Sequence, residues 1–156
     1  MAENNTKNEN LKECLNYLYT QIGRYSKTKK GYTSKLYEKG FSSVVINQAI
    51  DFAEQKRFID DDAYTQSYIL RNKSKKGALK IKNELLIKGV DKNIIEKHLI
   101  DINEEEEALI LAEKFVKNKE IDIDTISKLY RHLCGKGFSY QTVTNTIYKI
   151  KNSANI

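Results

Sequence analysis

Residues able to carry chemistry are few in this sequence, and they are scattered. It holds two cysteines, Cys14 and Cys134, and two histidines, His98 and His132. A thiolate nucleophile needs a base beside it, and a zinc site needs ligands at close spacing such as CxxC. Neither pattern surrounds these four residues, so Cys14 and Cys134 are expected to be buried free thiols. The GKG at 135–137 is no phosphate loop, because Tyr130 stands where GxxxxGK requires its leading glycine. No GxGxxG follows a strand pattern, and there is no HExxH and no nucleophile elbow. Carboxylates cluster twice, at Asp60, Asp61 and Asp62 and at Glu104–Glu107. Each run opens a helical pattern, where acids satisfy free amides and the positive end of the helix dipole. The first run reads as caps and the second as an exposed opening turn. No catalytic residue, cofactor or metal is expected.

Charge is the next candidate for function. The net charge of +6 is uneven: residues 1–57 carry 10 basic and 6 acidic side chains, 58–103 carry 9 and 7, and 104–156 carry 8 and 8. The run 71–88, RNKSKKGALKIKNELLIK, sets Arg71, Lys73, Lys75, Lys76, Lys80, Lys82 and Lys88 against one acid, Glu84. A smaller patch, Arg24, Lys27, Lys29 and Lys30, occupies the corresponding place earlier in the chain. Clustered cations of this kind suit a polyanion, either a nucleic-acid backbone or an acidic groove. Ten tyrosines accompany them. Tyr64 and Tyr68 fall one helical turn apart at core positions, whereas Tyr25, Tyr32 and Tyr37 lie beside cations and are free to contact bases.

The elements that position these residues are written three times. KLYEKGFSSVVI (35–46), ELLIKGVDKNII (84–95) and HLCGKGFSYQTV (132–143) align on Gly40, Gly89 and Gly137, which lie 49 and 48 residues apart. Leu36, Leu85 and Leu133 stand four residues before the glycines. Phe41, Val90 and Phe138 follow them directly, and then Ser42, Asp91 and Ser139. Further on come Ile46, Ile95 and Val143, then Ile50, Leu99 and Ile147, then Ala53, Ile102 and Ile150. These intervals have helical periodicity. A helix ending in lysine needs a residue that tolerates positive φ, and glycine does so most cheaply. The Ser or Asp that follows caps a new helix, so each phrase reads helix, tight turn, helix. A further helix fits upstream, with Leu15, Tyr64 and Ala112 in register 25 residues before the glycines.

The fold expected is all-α, three tandem three-helix repeats forming an elongated, curved array, with boundaries at 1–57 (including a polar N-terminal tail), 58–103 and 104–156. The absence of proline agrees with this, and only EIDIDTI at 120–126 could pass for a strand. No apolar stretch is long enough to span a bilayer, and MAENNTKNEN has no signal-peptide pattern, so a cytoplasmic protein is expected.

From about residue 11 to 150 the chain resembles the bacterial RecX family, regulators of the RecA recombinase. The phrases that carry the resemblance are YLYTQIGRYSKTKKGYTSKLYEKGFSSVVINQAI, then FIDDDAYTQSYILRNKSKKGALKIKNELLIKGV, then EEEEALILAEK and LYRHLCGKGFSYQTV. The middle phrase is the most specific: IDD, two spaced tyrosines, an arginine, KKG and ELxxKG in that order. Thr65 and Ala78 depart mildly from the family pattern, which often has Ala and Pro there. The resemblance implies a right-handed array of three-helix repeats lying lengthwise in the groove of the RecA filament on DNA. It implies inhibition of RecA ATP hydrolysis, strand exchange and coprotease activity, and hence a role in DNA repair, homologous recombination and the SOS response. No cofactor is implied. The expected partners are RecA as a nucleoprotein filament and single- and double-stranded DNA, with no membrane and a monomeric chain. Charge and position select Arg24, Lys27, Lys29, Lys30, Arg71, Lys73, Lys75, Lys76, Lys80 and Lys82 as the contact residues. The rival reading is a helix-turn-helix DNA binder without RecA regulation, but SSVVINQAIDFAEQ offers only Asn47 and Gln48 to a groove. A third reading is a helical adaptor for another protein.

Overall fold

A computed structural model describes residues 2–154 and the side chains of residues 9–154; the side chains of the polar opening MAENNTKN lie outside the described residues. Among the described residues there are nine α-helices and no strand: α1 (Ala2–Arg24), α2 (Lys29–Lys39), α3 (Ser43–Gln55), α4 (Asp61–Asn72), α5 (Ala78–Ile87), α6 (Lys92–Leu99), α7 (Glu104–Val116), α8 (Ile123–Gly135) and α9 (Tyr140–Ala154). The 120–126 stretch is no strand, because Asp122 accepts from the Thr125 amide at 2.7 Å and starts α8.

The chain forms two compact units, Met1–Thr65 with Leu86–Ile94, and Gln66–Leu85 with Ile95–Ile156. In the first, α1, α2 and α3 enclose a core of Cys14, Leu18, Tyr32, Leu36, Ile46, Ala49, Ile50 and Ala53. In the second, α7, α8 and α9 enclose Ala108, Ala112, Leu129, Leu133, Phe138, Val143 and Ile150.

Each repeated phrase folds as its residues dictate. Gly40, Gly89 and Gly137 have φ of 98°, 83° and 86°. After Gly40 the chain reverses, with the Phe41 amide donating to the Leu36 carbonyl at 3.3 Å; after Gly137 the Phe138 amide donates to Leu133 at 3.4 Å. Ser42 accepts from the Val45 amide, Asp91 from Asn93 and Ser139 from Thr142, which opens α3, α6 and α9. Leu36, Leu85 and Leu133 are fully buried, as are Ile46, Ile95 and Val143.

The first helices do not keep the register. Their buried pairs are Cys14 and Leu18, Thr65 and Ile69, and Ala108 and Ala112, whereas Leu15 and Tyr64 are half-buried. The connection to the second helix differs in length each time, so spacing counted back from the glycine drifts around the helix. Cys134 corrects a second expectation: it is exposed, while Cys14 is buried. Leu129 and Leu133 define the inward stripe of α8, and the next residue lies about 100° round the helix from it.

One arrangement occurs in both units, although no spacing rule announces it. In the first, the Lys29 amide that opens α2 donates to the Asp61 carboxylate at 2.8 Å. Thr28 Oγ1 donates to the Lys88 carbonyl at 2.6 Å, and Lys30 Nζ points to the Ile87 carbonyl at 3.5 Å. In the second, the Ala78 amide that opens α5 donates to Glu104 at 3.0 Å. The Gly77 amide donates to the Lys136 carbonyl at 2.8 Å, and Lys80 Nζ points to the Gly135 carbonyl at 3.5 Å. A carboxylate from the opening of one first helix thus caps an earlier second helix, and a Lys-Gly turn lies against that same opening. A Cβ at Gly89 or Gly137 would overlap Lys30 or Lys80, whereas one at Gly40 meets nothing within 4 Å.

These contacts revise the roles of the acids. Asp60 caps its own helix, accepting from the Ala63 amide at 3.0 Å, but Asp61 caps α2 instead. Burial pushes the Asp61 carboxyl up, against the pull of the Lys29 amide. Glu104 is half-buried rather than exposed, because it also accepts from the hydroxyls of Ser139 at 3.0 Å and Thr142 at 2.7 Å.

Candidate functional site

The first basic patch is carried by the α1–α2 connection and the opening of α2. Arg24 is exposed at the end of α1. Lys27 is half-buried, its Nζ 5.6 Å from the centre of the Tyr25 ring. Lys29 pairs with Glu54 at 2.7 Å, and that hydrogen bond holds its ammonium above the usual lysine range. Lys30 points to the Ile87 carbonyl. Of the tyrosines beside these cations, Tyr25 and Tyr37 are exposed, but Tyr32 is buried and its hydroxyl donates to the Tyr25 carbonyl. Tyr32 sits one turn ahead of Leu36 on the inward stripe of α2, which removes it from any contact surface.

The second patch runs from the end of α4 into α5. Arg71 and Lys75 are exposed; the Arg71 guanidinium donates to the Ser67 carbonyl of its own helix, at 3.2 Å. The remaining four cations have acceptors elsewhere. Lys73 lies 3.7 Å from Glu107, Lys76 2.8 Å from Glu84, and Lys82 3.1 Å from Glu96. Lys80 points to the Gly135 carbonyl. The positions of these four lysines are therefore set by local structure. Among the described residues, Arg24, Lys27, Arg71 and Lys75 are the predicted cations not bound to a carboxylate or to a turn carbonyl.

Glu84 anchors the second patch. Burial raises its carboxyl, but hydrogen bonds from Lys76 and from the Tyr68 hydroxyl outweigh that and hold it below the usual range. A depressed carboxyl contributes stability that is complete above its unfolded value, about 4.3, and is lost as pH falls through the folded value. Glu84→Gln is therefore expected to cost about 1 kcal/mol at pH 7, with the gap to the unaltered chain closing near pH 3. Urea unfolding at the two pH values checks this; an equal gap at both would mean that the carboxylate charge contributes nothing.

Among the described residues no group of three or more His, Cys, Asp or Glu is placed to hold a metal ion. No described helix is long and apolar enough to cross a membrane. His132 is half-buried against the Phe115 ring, 4.8 Å between centroids, and burial lowers its pKa. Lys88, outside the predicted contact set, stands in the turn that follows α5 and lines the same cleft as Lys27 and Lys30.

Residues 60–99 match the family model described as RecX, second three-helix domain. A protein named Regulatory protein RecX from Clostridium botulinum (strain Alaska E43) is 35% identical over 147 residues, covering 90% of this chain and 69% of that protein. The protein of the same name from Clostridium beijerinckii is 35% identical over 151 residues, covering 92% and 71%. The crystal structure of RecX from Lactobacillus salivarius superposes with a TM-score of 0.82 at 26% identity, covering 92% of this chain and 97% of that one.

Proposed function

This chain belongs to the RecX family of regulatory proteins, and from that premise we propose that it binds the RecA–DNA filament groove and inhibits RecA. The reading extends to ATP hydrolysis, strand exchange and coprotease activity, and through them to DNA repair and the SOS response. It needs no chemistry from the chain. A surface able to touch neighbouring filament protomers impedes the motions that accompany ATP hydrolysis. The observation that carries the proposal is the match of residues 60–99, the segment that also holds Arg71 and Lys75 exposed and without a carboxylate partner. Three-helix repeats at 1–57, 58–103 and 104–156 remain the division we propose, and the extent of that match supports the middle one.

The test is ATP hydrolysis by the cognate RecA on single-stranded DNA while this chain is titrated in, with co-sedimentation as a check on filament association. Inhibition at substoichiometric ratios is expected. Arg71→Gln with Lys75→Gln should raise the concentration needed by about three- to tenfold, the range for two rim charges in a charged interface. This pair is a cleaner probe than Lys76 or Lys80, whose neutralisation also disturbs Glu84 or the Gly135 carbonyl. Tight co-sedimentation with unchanged hydrolysis would refute inhibition. No inhibition and no co-sedimentation would hand the function to the helix-turn-helix DNA-binding reading or to that of a helical adaptor.

A further inference from the structure

We propose that a trough between α8 and α9 docks an amphipathic helix of a partner protein, one whose apolar stripe is flanked by acidic side chains. Both helices belong to the second compact unit. Two adjoining cavities make up the trough, one of about 590 Å³ beside Tyr130 and Arg131 and one of about 400 Å³ at the opening of α8. They share Ile126, Ser127 and Lys151 as lining. Ile126 and Ile147 form the floor, half-buried against the core that α7, α8 and α9 enclose. The walls are low: Ile123 is 88% exposed and Tyr130 39%.

The make-up of the trough selects its occupant. Ser127 donates to the Ile123 carbonyl at 2.8 Å and Thr144 to the Tyr140 carbonyl at 3.0 Å, so these hydroxyls are engaged within their own helices. The floor therefore favours an apolar guest over a polar one. A small molecule would leave Ile123 and Tyr130 largely in water, whereas an elongated segment covers them. From Ile123 to Arg131 α8 rises about 12 Å, and apolar residues at i and i+7 of a guest helix lie about 10.5 Å apart, so two turns fill the trough. Charge supplies the specificity. Arg131 on α8 and Lys151 on α9 line the larger cavity from its two helices, and no carboxylate stands in its wall. Neither cation has a carboxylate partner among the described residues. The acids nearby are occupied: Asp122 accepts from the Thr125 amide at 2.7 Å, and Asp124 pairs with Lys128 at 2.6 Å. Unopposed cations on both rims of an apolar floor complement carboxylates on both flanks of an apolar stripe.

The inference does not rest on RecA inhibition and is tested without RecA. The probe is a fluorescein-labelled synthetic peptide of about 18 residues, long enough to hold a helix, with leucines at i, i+4 and i+7 and glutamates on both flanks. A counterpart carries lysine at every glutamate position. Anisotropy titrations with the full chain, at about 0.15 M salt to screen distant charges, compare the unaltered protein with Arg131→Glu/Lys151→Glu and with Tyr130→Ala. Lys12→Glu/Lys114→Glu, at exposed positions on α1 and α7, is the charge-matched control. Circular dichroism verifies that each variant stays helical. The unaltered chain should prefer the acidic peptide by about tenfold, and charge reversal should invert that preference. Tyr130→Ala should weaken binding of the acidic peptide about tenfold, as loss of an aromatic anchor does. The control should stay within about twofold of the unaltered chain. An unaltered chain that binds both peptides equally, or neither, overturns the proposal, as does a reversed chain that keeps the original preference. Sedimentation velocity checks the other occupant: a dimer that Tyr130→Ala turns into a monomer assigns the trough to a second copy of this chain and overturns the partner helix.

Discussion

Gly77→Ala is expected to lower the unfolding free energy by about 3 kcal/mol or more, a large effect for one added methyl. The Gly77 amide donates to the Lys136 carbonyl at 2.8 Å, which brings the two backbones into direct contact. An added Cβ would overlap the Gly137 carbonyl group and the Phe138 amide, and backbone atoms cannot rotate aside as a side chain does. Separating the segments to make room would break that hydrogen bond and the neighbouring one from the Ala78 amide to Glu104. Gly40→Ala is the internal control. Its φ of 98° imposes strain of about 1–2 kcal/mol on any L side chain, yet its Cβ would meet nothing within 4 Å. Urea denaturation of both variants decides the matter: if Gly77→Ala proves no worse than Gly40→Ala, the close approach does not hold this unit together.

Glu104→Ala should cost about 2–4 kcal/mol, and Glu105→Ala, one residue along on the exposed surface, far less. The difference lies in what each carboxylate holds. Glu104 accepts from the Ala78 amide and from the hydroxyls of Ser139 and Thr142, joining the openings of α5 and α9. Glu105 holds Lys149 at 3.4 Å and Asn145 at 2.9 Å on the exposed surface. In the alanine variant the Ser139 hydroxyl, 2.8 Å from that of Thr142, turns its one proton from the lost carboxylate to that neighbour, so most of the cost falls on the orphaned amide. Glu104→Gln retains an acceptor for that amide and should recover about half the loss. Thermal unfolding of the four chains tests the ranking. Equal penalties for Glu104→Ala and Glu105→Ala would show that the capping network contributes nothing.

The contrast between these acids marks what a sequence reading can and cannot reach. The glycine phrase was legible because its causes are local: positive φ at Gly40, Gly89 and Gly137, a capping residue two positions later, a leucine four positions earlier. The carboxylates that cap α2 and α5 were not, because Asp61 and Glu104 lie 28 and 33 residues ahead of their own glycines and answer amides of an earlier helix. The basic residues divide in the same way. Their number is plain in the sequence, but the partners of Lys29, Lys73 and Lys82 are Glu54, Glu107 and Glu96, acids too distant in the chain for a local charge count to pair. Lys88 became visible beside Lys27 and Lys30 only once Thr28 had drawn its carbonyl close.

The turn at Gly40 stands apart from the other two in what a side chain there would meet. At Gly89 an added Cβ would press on the Lys30 side chain, and at Gly137 on the Cβ and backbone of Lys80, so either change needs the neighbouring helix to shift as well. At Gly40 only the backbone asks for glycine, and asparagine meets that request with modest strain. Three copies of one phrase are therefore not held equally: the first resists a side chain through backbone strain alone, while the later two resist it also through what packs against them.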